Sequence, residues 1–282
     1  MSEQHGSVSH GSRGRWKMLD SVLRGDATRA EVLERGEVPV SAKALVPALL
    51  ALGVVYGLCM GSFGLIRAYT GTGLGESVRD SVVRDAWWQL VATTVKVPLL
   101  FMATLVVTLP SLYVFNALVG SRLTARSVLR LLVAMLGVTL AVLASLGPIV
   151  AFFGVSTTSY PFMKLLNVAC FAVAGSLGLA FLWRTLRFLV RSTEPVVIPP
   201  ASSEETGADA VAEAVVSLPG DDRAKNVFRV WIVVFALVGA QMSWVLRPFI
   251  GDPDLAFTWF RSRESNFFTD VFDALLKLLG AA

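Results

Sequence analysis

The sequence predicts an all-α, polytopic transmembrane helix bundle of about five spans, with amphipathic helices in the membrane interface. Three observations carry that reading. Hydrophobic residues make up 54% of the 282 and charged residues only 16%, against about 25% charged in a soluble domain. The mean hydropathy is +0.63. Five stretches, 44–66, 97–118, 129–153, 162–182 and 227–250, reach the ~20 apolar residues that a helix needs to cross the hydrocarbon core. Such a chain cannot cover a globule with water-compatible side chains, which excludes the disordered, collagen-like and ordinary soluble classes.

Taken in order, residues 1–43 form a cytoplasmic tail. Its first 14 residues are rich in Gly and Ser and are expected to be disordered. His5 and His10, the only histidines, read there as solvated residues rather than metal ligands. Trp16, Leu19, Val22 and Leu23 recur at helical spacing within 15–36, predicting one or two short helices on the membrane face. Residues 44–191 form a four-span bundle. In the first span Gly53, Gly57 and Gly61 make a double GxxxG, a spacing that lets two helix backbones approach closely. It serves either packing within the chain or a homodimer.

The stretch 87–118 exceeds one crossing at 1.5 Å per residue. Pro98 and Pro110 lie within it, and each removes a helical hydrogen bond. The expectation is therefore a separate amphipathic helix over 76–94, carrying Trp87 and Trp88 on the outer surface, with the second span starting near Lys96. Ser111, Tyr113 and Asn116 follow Pro110 and suit repair of its kink by neighbouring helices. Residues 192–226 are a Pro-, Ala- and acid-rich linker, expected to be flexible and cytoplasmic. The fifth span is 227–250, ended by Pro248. The tail 251–282 is external. In it Phe267, Phe268, Val271, Phe272, Leu275, Leu276 and Leu279 oppose Asp270, Asp273 and Lys277, predicting a helix that lies in the outer interface.

Charge sets the orientation. The segments before span one, between spans two and three, and between spans four and five hold 16 of the 25 Lys and Arg, and the others hold nine. Arg122, Arg126 and Arg130 sit together without an acid, whereas the hairpin 154–161 has no charge. By the positive-inside rule the amino terminus is cytoplasmic and the carboxyl terminus external, in a cell inner membrane.

The chemical inventory is short. No HExxH, GxSxG, GxxxxGK or strand-borne GxGxxG is present. No catalytic residue, metal site or cofactor is implied. Cys59 and Cys170 lie alone in apolar runs, so no CxxC or disulfide framework exists. Basic residues punctuate apolar runs rather than cluster, which argues against nucleic acid. No acid lies inside a span, against a proton-coupled pump. What remains is polar: Lys96, Lys164, Asn167, Gln241, Ser243 and Arg247 fall in the outer leaflet or its border, with Asn116 at the opposite end of span two. They form either a polar core that contacts an anion or lipid phosphate, or long side chains that snorkel to the headgroups. Asp252 and Asp254 are close enough in sequence to pair with Arg247.

Several phrases carry a resemblance: Tyr56-Gly57 with Met60-Gly61-Ser62-Phe63; Lys96-Val97-Pro98-Leu99-Leu100; 109–116, LPSLYVFN; 241–251, QMSWVLRPFIG; and Trp259-Phe260-Arg261. Together they resemble a bacterial family of polytopic inner-membrane proteins that has no assigned activity, over most of 45–265. The resemblance implies membrane location and no site residue. The five-span topology also resembles that of Yip-type membrane proteins. The leading expectation is a non-catalytic scaffold or assembly factor that meets the lipid bilayer and a protein partner in the membrane. The alternative is a transporter or channel for a small solute or lipid, with the polar residues of spans two, four and five as its path.

Overall fold

The computed structural model describes residues 6–24, 42–71, 76–118, 125–191, 220–251, 256–261 and 266–280. They form seven helices: α1 (Gly6–Leu23), α2 (Ala42–Thr70), α3 (Glu76–Leu118), α4 (Ala125–Ser156), α5 (Tyr160–Arg191), α6 (Gly220–Val245) and α7 (Phe267–Leu278). No strand occurs among the described residues. Four stretches in α2 to α5 are long and apolar enough to cross a bilayer: Lys43–Thr70, Val78–Ser111, Leu129–Ser156 and Tyr160–Thr185. The chain is thus an all-α, multi-pass membrane protein.

The fifth stretch differs from expectation. Its apolar part among the described residues, Arg229–Val245, is shorter than the other four, and the helix ends at Val245 rather than at Ile250. Pro248 is the reason, since proline disfavours helical backbone at the residue before it. α6 nevertheless runs alongside the second half of α3. Trp231 Nε1 donates to Ser111 Oγ at 3.3 Å near one end, and Lys96 Nζ donates to the Pro248 carbonyl at 3.1 Å near the other. The two helices are therefore antiparallel.

The expected break before Lys96 is absent. α3 is one helix of 43 residues, about 64 Å at 1.5 Å per residue, so 76–94 and the second span are continuous. The glycines of α2 account for it. A Cβ at Gly53 would meet Pro98 at 3.0 Å, one at Gly57 would meet the Thr94 backbone at 2.8 Å, and one at Gly61 would meet Leu90 at 2.9 Å. As α2 climbs by four residues, α3 descends by four, and each missing side chain receives part of α3. Pro98 is buried in this seam and held by Gly53, so the neighbouring helix supports the backbone that the proline weakens. The double GxxxG is spent on packing within the chain. Outward, Trp88, Val91, Val95 and Leu99 form an exposed apolar stripe, with the tryptophans placed as interface anchors.

α4 is the centre, packed against α2 and α5, with Leu131 through Leu136 all buried. The turn to α5 is short because Ser159 caps the helix, its Oγ accepting from Phe162 N at 3.3 Å. At the opposite end α1 starts at Gly6, so residues 6–14 are helical rather than disordered. α1 packs against α2 and α4. Leu19 and Val22 are buried, so this helix is part of the bundle rather than a surface adjunct. The rest of the stretch 15–36, where one or two short helices are expected, lies outside the described residues from 25 onward, as does most of the linker. α6 begins at Gly220, within the expected linker 192–226.

Candidate functional site

Two structures share the end of the bundle where α6 stops. The first is a clamp. Asp85, Gln89, Thr93 and Lys96 recur at helical spacing along one face of α3. The segment after α6 lies across them. Gln89 Nε2 donates to the carbonyls of Pro248 and Phe249 at 3.3 and 3.1 Å. Thr93 Oγ1 donates to Phe249 O as well. Asp85 Oδ2 accepts from Phe257 N at 3.1 Å. Lys96 is only 2% exposed. Its ammonium donates to Pro248 O and Trp259 O and lies 5.9 and 5.3 Å from the Trp259 and Phe260 ring centroids. Carbonyl dipoles and aromatic faces thus replace its hydration, and no carboxylate among the described residues pairs with it. Gly251 permits the approach, because a Cβ there would meet Gln89 at 3.0 Å.

The second structure is a cavity of about 680 Å³ that the clamped segment covers. α5 and α6 face one another across it. α5 packs on α4 and α6 packs on α3, but α5 and α6 hardly touch each other. The slot between them is lined by small residues: Ala172, Gly175 and Ser176 on one side, Ala236, Gly239 and Ala240 on the other. A Cβ at Gly175 would have nothing within 4 Å. The floor is apolar, with Phe101 stacked on Phe171 at 6.0 Å. At the α1 end, the Arg229 guanidinium lies 5.8 Å from the Trp183 ring and joins the two walls.

The other end is polar and cationic. Lys164, Arg247, Arg261 and Lys277 line it, with Asp270 the one carboxylate among the described lining residues. Lys164 Nζ is 2.6 Å from Asp270 Oδ2. The Arg247 guanidinium lies 3.5 Å from the centroid of the Trp244 ring. Trp244 is 6% exposed and lines the slot; its Nε1–H is itself buried and has no hydrogen-bond partner among the described residues, a cost of about 1–3 kcal/mol.

The expected polar residues separate into three groups. Lys164, Asn167, Arg247 and Pro248 line the slot. Asn167 is also a brace, its Oδ1 accepting from Tyr56 OH at 2.9 Å and its Nδ2 donating to Met163 O at 2.8 Å. Lys96 lies behind the slot, in the clamp. Gln241 is exposed on the outside of α6, so the structure does not bring it into the cluster. Helical phase explains this, because Gly239 and Ser243 take the inner face at that level. Pro110 is exposed within α3. Ser111 below it donates to Thr108 O at 2.7 Å. The side chains of Tyr113 and Asn116 lie outside the described ones, and so do Asp252 and Asp254. The sequence reading missed Trp244, Arg261, Gly175 and Gly239. Trp244 and Arg247 are three apart on a helix end, a spacing that stacks a guanidinium on a ring, and this signal was available.

No family model, no curated protein and no solved structure matches the chain. Among the described residues no group of three His, Cys, Asp or Glu is placed to hold a metal ion.

Proposed function

We propose that the protein is a non-catalytic binding protein of a bacterial inner membrane that holds one anionic amphiphile in the α5–α6 slot. Its α2–α6 helices cross the bilayer five times, with the amino terminus cytoplasmic and the cationic end of the slot in the outer leaflet. The observation that carries the reading is the slot itself: apolar along its length, cationic at one end, and flanked by two helices that barely touch. Its volume falls within the ~300–1,000 Å³ of small-molecule sites, enough for one chain and a headgroup. Because both walls face outward from the bundle, entry is sideways from lipid. Lysine and arginine at the end match a phosphate or carboxylate. This reading gives the transporter or carrier alternative more support than the scaffold, since a scaffold has no use for an unfilled slot beside its core.

The test is native mass spectrometry of the detergent-solubilised protein with hexadecyl phosphate and, separately, hexadecanol. Wild type is expected to retain one hexadecyl phosphate and to hold hexadecanol at least tenfold more weakly. Gly175→Leu, whose Cβ would have no protein atom within 4 Å on a residue that lines the slot, is expected to retain neither. Equal retention by wild type and Gly175→Leu would favour the scaffold reading.

A further inference from the structure

We infer that Asp270 of α7 occupies the anion subsite of the slot, so that α7 is a built-in plug which a ligand headgroup displaces. This rests on the slot as the binding site and adds how its charged end is kept closed. The first observation is the orientation of α7. An apolar stripe of Phe268, Phe272, Leu275 and Leu279 is exposed, beside exposed Asp273 and Lys277, whereas Asp270 is turned in and lines the slot. A helix that rests on a protein in water leaves no such apolar stripe uncovered. α7 packs mainly on α5 and to a lesser extent on α6, and so closes the gap between the two walls at this end.

The second observation is chemical. Asp270 places a carboxylate on Lys164 at 2.6 Å, with both side chains a quarter exposed. That is the contact an amphiphile's phosphate or carboxylate would make with the same lysine. The third is the company Lys164 keeps: Arg247, Arg261 and Lys277 line the same end of the cavity, where Asp270 is the one carboxylate among the described lining residues. An oxyanion with several acceptor atoms can meet more than one of these cations at once. Exchange of Asp270 for such an anion therefore keeps the lysine contact and adds to it. The displaced helix keeps a place, because its exposed stripe suits the membrane interface.

The experiment compares wild type, Gly175→Leu and Asp270→Asn in nanodiscs for hexadecyl phosphate affinity. It also follows hydrogen exchange of α7 amides in wild type. If Asp270 is a competitor, Asp270→Asn binds more tightly, by roughly fivefold to tenfold as expected for release of one partly buried ion pair. In wild type, saturating hexadecyl phosphate speeds exchange in α7 while inorganic phosphate at the same concentration leaves it unchanged. Affinity of Asp270→Asn equal to or below wild type overturns the plug. So does slower or unchanged exchange in α7 of the wild-type protein, which settles the matter if the variant folds poorly. Faster exchange with inorganic phosphate would show that a free anion, rather than an amphiphile, opens the site. Binding that is the same in wild type and Gly175→Leu removes the slot reading, and the plug with it.

Discussion

The seam between α2 and α3 and the slot between α5 and α6 are built from the same kind of residue and come to opposite ends. Gly53, Gly57 and Gly61 are filled by the partner helix, whose atoms stand 2.8 to 3.0 Å from where a Cβ would be. Gly175 has nothing within 4 Å, and Gly239 only a methyl of Thr104 at 3.9 Å. In the seam, small residues bring two backbones together, and the contact is dispersion and close packing. In the slot, small residues hold two walls apart from anything that would fill the space between them. What differs is the third element. α3 runs antiparallel to α2 in a register that offers Pro98, Thr94 and Leu90 to successive glycines. α5 and α6 each lean on a different neighbour, α4 and α3, and so cannot close on each other.

The seam and the slot are expected to respond oppositely to the same added side chain. Gly57→Leu must push the Thr94 backbone aside, and a backbone shift is dearer than a rotamer change. The expected loss is at least ~3 kcal/mol, seen as little or no monodisperse protein in detergent. Gly175→Leu is expected to fold with a midpoint of thermal unfolding within a few degrees of wild type, since a leucine in place of a mid-helix glycine gains up to ~1 kcal/mol in helix propensity. Similar losses at both positions would mean that the slot is closed in the membrane.

Next in size is Lys96. Lys96→Met keeps the length of the side chain and removes the donor, leaving the Pro248 and Trp259 carbonyls without it. About 2 kcal/mol is expected to be lost, with protease sensitivity appearing within 248–261. A methionine variant as stable as wild type would show that the clamp is held by Gln89, Thr93 and Asp85 alone.

These two regions were unequally legible in the sequence. The GxxxG of α2 and its use within the chain could be read, because the spacing itself names a helix face. That α3 would run through Pro98 could not, because the support comes from Gly53 of another helix, 45 positions away. The polar residues of the outer end could be gathered by depth, which is a matter of counting from span ends. Their rotation about each helix could not. Gln241 turned outward, and Lys96 turned toward carbonyls rather than toward a ligand. The Lys164–Asp270 pair joins α5 to a terminal helix whose charged face was expected to meet water. Asp273 and Lys277 stay exposed, but Asp270 turns inward to Lys164, and only the packing of α7 reveals it. The stop of α6 was legible for a local reason: Pro248 ends it as the sequence implies, with the last helical residue at Val245.

The smallest expected effect concerns Arg247. Its guanidinium carbon lies 3.5 Å from the Trp244 ring centroid, a cation–π contact that favours a guanidinium over lysine's ammonium. Arg247→Lys is expected to lower stability by roughly 0.5–1 kcal/mol and to weaken hexadecyl phosphate severalfold, nearly as much as Arg247→Ala. A lysine variant indistinguishable from wild type in both would mean that only charge at the headgroup level matters, as in snorkelling.

Photolabelling reads out whether an amphiphile from the bilayer lies between α5 and α6. A hexadecyl phosphate bearing a diazirine midway along its chain would be incorporated with the protein in vesicles, irradiated, and the adducts mapped. Adducts are expected on the slot faces of α5 and α6, around Gly175, Ser176, Gly239 and Ala240, and are expected to disappear with excess unlabelled hexadecyl phosphate and in Gly175→Leu. Adducts confined to outward residues such as Val106, Val155 and Val233, unchanged by competitor, would contradict it.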